Sequence, residues 1–534
     1  MKKIFISAAA VLAWTAAGHA DELTDIQAQA KQLREQTAAQ NAALNKRLAE
    51  LENRQKALEA QKRSVINPTD AMVADLPYKA ALKAKPPEND DLCWHGVCLY
   101  GNFDMGLIYV SHGASLSALG TSPDNPIISK NSAGSYFGAG PNMMSNSFIG
   151  LRGKQEIADN LYAVFNLQTL FNVNTGMVSN GLGSVVQNNG LSTNVLAQNS
   201  FGDSSKDGQM FSGAAYFGVS SPTWGTLTMG RQSALSSDLL ASYDPLVGAN
   251  AWSLFAYLGG NAGGGDTEDR VFDNSYEYRV NIGPVRLAVE AQLRSGGNSS
   301  TGNAFEGSIG FDYLGFSMDF LAGKIYDGLS AGILSAAQLA VLNGSGIATG
   351  NGLISATVSD NTVFSVGARY TIGPWKLFGG YEHVVFANPN NPLSPGAFVT
   401  AGYVAGIVNN TNFTNEKIQQ TAWVGTKYSI TPALDIVGAY YHEWQNSYAT
   451  GANAGCTDAR APQCSGSLDV VSLVFDWRFA RHLDMYAGIS WSQVQNGLAS
   501  GFLQANGTPA GGTIAGGPNK ASTFDPGIGL RYQF

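Results

Sequence analysis

The sequence predicts an all-β transmembrane barrel of 16 antiparallel strands, preceded by a periplasmic α-helical coiled coil. Three observations carry that expectation. Segments of about ten residues alternate apolar and polar side chains, as a strand with one apolar and one polar wall does. Short turns and long Gly- and Asn-rich links separate these segments by turns, the asymmetry of a barrel with periplasmic turns below and extracellular loops above. The last segment, Phe524 to Phe534, sets Ile528, Leu530, Tyr532 and Phe534 on one face and Gly529, Arg531 and Gln533 on the other. It reads as a closing strand that pairs with the first and removes both free edges.

Composition agrees. Only 13% of the residues are charged, 44% are hydrophobic and 63 are Gly, against about 25% charged and about 7% Gly in an average soluble protein. No apolar run reaches the ~20 residues of a spanning helix, so a crossing must be made by a closed barrel. The net charge of −8 argues against a nucleic-acid partner.

In chain order, residues 1–20 read as a signal peptide, with Lys2 and Lys3, an apolar stretch from Ile4 to Trp14, and the small-residue end Gly18-His19-Ala20. Residues 21–63 contain no Gly or Pro, and Leu23, Ala30, Thr37, Leu44, Leu51 and Leu58 recur every seven residues. That period gives a left-handed coiled coil, with a single solvated helix as the alternative. Residues 64–96 are a linker holding Pro68, Pro77, Pro86 and Pro87. The four Cys form two close pairs, Cys93/Cys98 and Cys456/Cys464. Each pair is expected to bridge, because an oxidising compartment fits this usage and no zinc-ligand spacing accompanies it. Neither a metal nor a cofactor is expected.

The strand segments are 97–110, 147–157, 161–171, 211–220, 224–231, 272–281, 284–294, 304–314, 316–326, 362–372, 374–384, 418–429, 432–444, 468–479, 482–493 and 524–534. In the seventh, Leu287, Val289, Ala291 and Leu293 face one way, and Arg286, Glu290, Gln292 and Arg294 the other. The sixth sets Tyr276, Tyr278 and Val280 against Ser275, Glu277 and Arg279. Charges on an inward face imply water inside, and about sixteen strands is the size at which a lumen becomes an aqueous channel. Trp375, Tyr381, Tyr428, Trp477 and Trp491 fall on the apolar face as an interfacial girdle would.

Several blocks resemble the trimeric general porins of Gram-negative bacteria: LYGNFDMG, FIGLRGKQEIADNLYAVFNLQ, AAYFGVSSPTWGTLTMGRQ, DRVFDNSYEY, VGARYTIGPWKLFGGYE, LDIVGAYY and the terminal Phe534. The resemblance implies a homotrimer in outer-membrane lipid. It also implies an inward-folded loop after the fifth strand, at about 232–269, carrying Asp238, Asp244, Asp266, Glu268 and Asp269. Arg152 and Arg270 match the family's basic wall. Arg231 matches too, but its parity points outward unless the strand ends in a bulge. Where the family carries Arg two residues before GLRG, this chain has Phe148, so a strongly basic constriction does not carry over.

The expected function is passive diffusion of ions and small hydrophilic solutes through a water-filled pore. The alternative is a structural tether that links the membrane to the cell wall through the coiled coil. An enzyme is not expected: the six His are scattered, and no spacing nominates a Ser/His pair near one rim.

Overall fold

The computed structural model describes residues 92–112, 134–176, 210–257, 271–293, 302–333, 353–392, 398–400, 403–409, 415–448, 465–499 and 520–534, together with Lys31, Gln32, Glu35 and Lys46, which are helical. The chain divides into a unit at Met1–Asn67 and a second at Pro68–Phe534. The signal peptide, most of the heptad segment, the linker up to residue 91, and Cys456 and Cys464 lie outside the described residues.

The second unit is a closed antiparallel barrel of sixteen strands. They are β1 Val97–Val110, β2 Ser147–Ala158, β3 Leu161–Phe171, β4 Ala214–Ser221, β5 Gly225–Ser233, β6 Val271–Ile282, β7 Val285–Gln292 and β8 Ala304–Tyr313. The second half holds β9 Phe316–Ile333, β10 Leu353–Ile372, β11 Trp375–Ala387, β12 Lys417–Thr431, β13 Leu434–Gln445, β14 Gly466–Ala480, β15 Leu483–Asn496 and β16 Lys520–Gln533. Each pairs with its sequence neighbours through tight turns at one end. The β8–β9 turn places Leu314 at φ 48° and Gly315 at φ 85°, the left-handed pair that a two-residue hairpin with right-twisted strands requires.

Alternation decides what faces out. Along β14, Val471, Leu473, Phe475, Trp477 and Phe479 are exposed, while Val470, Ser472 and Val474 are buried inside. From the first of these five outward rows to the last is eight steps along the chain, about 26 Å at ~3.3 Å per residue. Tilted at ~40°, that rises about 20 Å, most of the ~25 Å apolar band of an outer-membrane barrel. Trp375 stacks obliquely on Tyr428 at 4.5 Å on this same outer face, as the girdle expectation has it.

The barrel closes where β1 meets β16, in register from Asn102↔Gln533 to Ile108↔Gly527. Gly101 and Phe534 complete the seam with reciprocal N–H to O bonds of 2.9 and 3.1 Å. Below Gly101 this edge of β1 has no further β16 to bond. A short strand, Leu92–Trp94, takes that place, pairing Leu92↔Leu99, Cys93↔Cys98 and Trp94↔Val97. The turn at His95 and Gly96 is left-handed at both residues, and the Cys93–Cys98 disulfide bridges the two arms. The sharp turn that the pair needed is therefore this hairpin.

The structure adds to the sequence expectation in several places, among them short strands at Phe398–Thr400 and Tyr403–Asn409. β9 and β10 run longer than 316–326 and 362–372, because alternation continues past them beyond a register slip between Ile325 and Gly328. Tyr136–Pro141 pairs with the upper half of β1, Met105 to Val110, in line with β2 on the lower half. Between them, Asn142–Asn146 leaves the sheet, held by the Asp104 carboxylate, which accepts the N–H groups of Met144 (3.0 Å) and Ser145 (2.8 Å). Lastly, the register slips between Gly230 and Gln232, with Gly230 at φ 134°. This is the bulge that Arg231 needed: its guanidinium is buried against Asp273 (2.6 Å) and Ser212 O (3.0 Å).

The ring of Phe534 lies 5.6 Å from Phe103 and 5.8 Å from Tyr532. Phe534→Ala is expected to remove about 1 kcal/mol for each ring pair, while deleting the residue also removes both seam bonds. Refolding in detergent, read as the fraction of heat-modifiable protein, should fall with Phe534→Ala and fall further with the deletion.

Candidate functional site: the inward loop and the lumen wall

The link after β5 does not rise over the rim. It begins with helix α1, Leu235–Tyr243, and continues through tight turns to a 3-10 turn at Leu254–Tyr257. Leu235, Leu239, Leu240, Tyr243, Leu246, Trp252, Leu254 and Phe255 are all buried. An apolar segment this dense cannot stay in water, and the inside of the barrel is the one surface it can pack on.

The wall is shaped to take it. At Gly367 on β10 an added Cβ would stand 2.5 Å from the Tyr243 ring, at Gly425 on β12 2.3 Å from Pro245, and at Gly488 on β15 2.7 Å from Trp252. These inward glycines are seats for three loop side chains. Hydrogen bonds fix the positions: Trp423 Nε1 donates to Tyr243 O (2.9 Å), Trp252 Nε1 to Asp525 O (3.2 Å), and Ser472 Oγ to Trp252 O (2.6 Å). Phe255 meets Trp423 and Tyr441 edge-on at 4.8 and 5.7 Å. From the other side, Ala251 N–H donates to Met143 O (2.9 Å) and Asn250 Nδ2 to Asn142 O (2.7 Å), so the inward excursion of Asn142–Asn146 props the loop.

Asp244 is an anchor and not a lining residue. It is fully buried, and its carboxylate accepts from the Tyr441 hydroxyl (2.5 Å), Gly248 N–H (2.6 Å) and the Ser253 hydroxyl (2.8 Å). Burial outweighs these donors and pushes its carboxyl above the usual range. A group whose folded value is raised contributes most below its unfolded value, so this anchor holds best in acid and weakens as pH rises through the raised value.

The other candidate residues divide. Arg279 points inward from β6, with its Nε 2.6 Å and Nη2 2.7 Å from Glu277, and pairs with Asp238 of α1. Arg286 on β7 pairs with Asp319 (2.9 Å) and Asp312, and donates to the Tyr243 hydroxyl at 3.1 Å. Arg152 also points inward, 5.0 Å over the Tyr100 ring on β1. Arg270, Arg294, Asp266, Glu268 and Asp269 lie outside the described residues. Tyr243 was not singled out in the sequence, and Arg369 was readable there only as an inward residue: its guanidinium sits 5.7 Å over the Tyr243 ring and donates to Ser242 O at 3.4 Å, with no described carboxylate in ion-pair reach. The parity of Arg369 was visible, but its place beside the loop is a tertiary fact. The pentapeptide Gly328-Leu329-Ser330-Ala331-Gly332 runs within β9, not on the strand-to-helix turn that presents a nucleophilic serine.

A closed strand ring with an apolar outside, a charged inside and a loop packed in its lumen defines a membrane-spanning barrel of the outer-membrane type. Residues 80–489 match the family model of the Gram-negative porin. The chain belongs to that family. An outer membrane porin protein of Bordetella pertussis is 30% identical over 149 residues, a match spanning 28% of this chain and 31% of that protein. An anion-selective porin from Comamonas acidovorans shares the fold at a TM-score of 0.51 and 16% identity, over 82% of this chain and 99% of its own. The outer-membrane protein OmpT of Vibrio cholerae superposes at a TM-score of 0.47 and 13% identity, over 83% and 100%.

Gly367→Val fills the Tyr243 seat with the chain still able to close. It is expected to lift the loop and raise single-channel conductance in a planar bilayer, with far-UV circular dichroism unchanged. Tyr441→Phe leaves Asp244 one donor short, a cost of about 1–3 kcal/mol for a buried polar group. Protease nicking within 234–257 should accelerate in that variant and not in a control at the lipid-facing Tyr440.

Proposed function

We propose that the protein is an outer-membrane diffusion channel for ions and small hydrophilic solutes. One observation carries the reading: inward ion pairs keep contact with solvent inside a wall that is apolar outside. Arg286, Asp312 and Asp319 retain 28, 54 and 20% of their side-chain exposure, and Lys427 and Arg478 retain 29 and 24%. Charges in a dry interior would cost several kcal/mol each, so this section of the lumen is wet.

Selectivity follows from which charges remain uncompensated near the loop, since screening at physiological salt acts within ~8 Å. Arg279 and Arg286 are paired with acids, while Arg152 and Arg369 are not among the described ion pairs. The acids proposed to oppose them are Asp266, Glu268 and Asp269, since Asp238 is paired with Arg279 and Asp244 is a buried anchor. Opposed signs across a narrow section orient dipolar solutes more than they exclude one ion, which supports weak ionic selectivity. The outward aromatic and aliphatic face suits lipid and neighbouring copies, and a homotrimer is the assembly proposed. The heptads of residues 21–63 would then meet as a parallel periplasmic coiled coil, without which the barrel still inserts.

Purified protein in a planar bilayer should give stepwise conductance with a reversal potential near zero in a salt gradient; an absence of steps refutes the channel. Arg152→Ala with Arg369→Ala should move the reversal potential toward cations by a measurable margin. Deleting residues 21–63 is expected to lower the trimer melting temperature without loss of insertion, and an unchanged trimer would rule out the coiled-coil role.

A further inference from the structure

The hairpin arm Leu92–Trp94 stands in line with the end of β16. Gly101 bonds Phe534, and two residues further down β1 Leu99 pairs with Leu92. Along an antiparallel strand every second residue sends its N–H and C=O to the same edge. Since those of Gly101 meet Phe534, those of Leu99 and Val97 meet the arm, while those of Cys98 and Tyr100 turn to β2.

No burial secures this arm. All three of its residues are exposed, Leu92 at 58% and Trp94 at 77%. The Trp94 ring meets His95 of the same turn edge-on at 4.4 Å, a contact inside the hairpin that does not tie it to the wall. Only the tip is bonded to β2, where Lys154 N–H donates to Gly96 O at 3.2 Å. A hairpin with no buried face is marginal in water. The Cys93–Cys98 bridge is therefore what keeps the arm on β1.

That bridge is accessible, and its two ends differ. Cys93 and Cys98 are a cross-strand pair, so both sulfurs lie on one face of the sheet. Cys93 is exposed, whereas Cys98 is half-buried. Cys98 shares the inward parity of Tyr100 and Asn102. It stands directly opposite Arg152 of β2, whose guanidinium lies 5.0 Å over the Tyr100 ring on the same face. One sulfur is thus open to attack, and the other has a cation as its cross-strand neighbour.

We infer that the Cys93–Cys98 bridge is a thiol–disulfide exchange site for a dithiol partner, and that its redox state decides whether the β1 edge beside Phe534 is covered. The incoming thiolate attacks Cys93 Sγ. The S–S bond breaks, and its electron pair leaves on Cys98 Sγ, where the Arg152 guanidinium stabilises the negative charge. The partner's second thiolate then attacks its own sulfur in the mixed disulfide and releases Cys93. The chain gains two electrons and two protons, and the dithiol becomes a disulfide. With the link gone the arm leaves β1, and Val97 and Leu99 lose their neighbour while the ring stays closed from Gly101 upward. The inference stands on the seam geometry and is independent of the channel reading.

Dithiothreitol added to the folded full chain in detergent, without denaturant, supplies the test. Peptide mass separates this pair from Cys456 and Cys464. The bridge is expected to open and the Val97 and Leu99 amides to lose their protection from hydrogen exchange. The Cys98 and Tyr100 amides and the heat-modifiability of the barrel should stay as they were, and glutathione disulfide should restore the lost protection. With glutathione as a monothiol probe, the trapped adduct should sit on Cys93, and Arg152→Gln should slow its formation. Cys93→Ser combined with Cys98→Ser should leave Val97 and Leu99 unprotected under all conditions. A bridge that dithiothreitol opens only in denaturant overturns the proposal. So does an adduct on Cys98, or protection at Val97 and Leu99 that survives reduction.

Discussion

A strand set in hydrocarbon has no water to take its N–H and C=O groups, and each one left unpaired costs several kcal/mol. Every strand must therefore have two neighbours, and the ring must close. That constraint explains the features at the seam better than any side-chain preference does. β16 is offset along β1 and pairs with it only from Asn102 to Ile108, so the lower edge of β1 would be bare below the Gly101–Phe534 pair. The disulfide-bridged hairpin supplies the missing neighbour there, and Tyr136–Pro141 supplies one for the upper half on the opposite edge. Four separate pieces of chain, these two together with β2 and β16, pair with this one strand.

Once closed, the ring encloses a space too wide for its own side chains to fill. The inward loop occupies part of that space, and its two sides are held by different forces. Toward β12–β16 it is apolar, with Trp252 and Phe255 set among Trp423, Tyr441 and Tyr486 and with glycine seats in the wall. Toward β6–β10 it is ionic, through Asp238 and Arg279, Tyr243 and Asp319, and Ser236 and Glu306. Apolar burial fixes where the loop lies. The ionic side, partly wet, determines what field a solute meets beside it.

How much of this the sequence revealed follows from the range of each signal. Alternation is local, so the sixteen strands and their inward and outward residues were legible, down to Arg279, Arg286 and Glu290 on the inner face. Even the need for a bulge at Arg231 was readable, because parity conflicted with the resemblance there. What parity cannot report is whether an inward charge meets water, a partner or a packed loop. Asp244 looked like a lining residue beside four other loop acids, yet Tyr441, 197 positions away in sequence, donates to it and buries it. The short strand at Tyr136–Pro141 was missed for a related reason: Gly138 and Gly140 break its alternation, and only the free edge of β1 makes it a strand.

The same point bears on reading charge in barrels of this kind. A net charge of −8 suggests a cation path, and a count of inward Arg and Lys suggests the reverse. Neither sum is the relevant quantity. Arg531 is buried with Asp484 (2.7 Å) and Asp476, and Arg279 and Arg286 are each shared by two acids. A paired charge contributes a short-range dipole, which salt screens within a few ångströms. Arg369 differs because an aromatic ring and a carbonyl are its described partners, and neither cancels its charge. In the channel proposed above, the field beside the loop would be set by the few side chains that the packing of the loop leaves uncompensated, and in that way a loop with so apolar an interior would govern an electrostatic property.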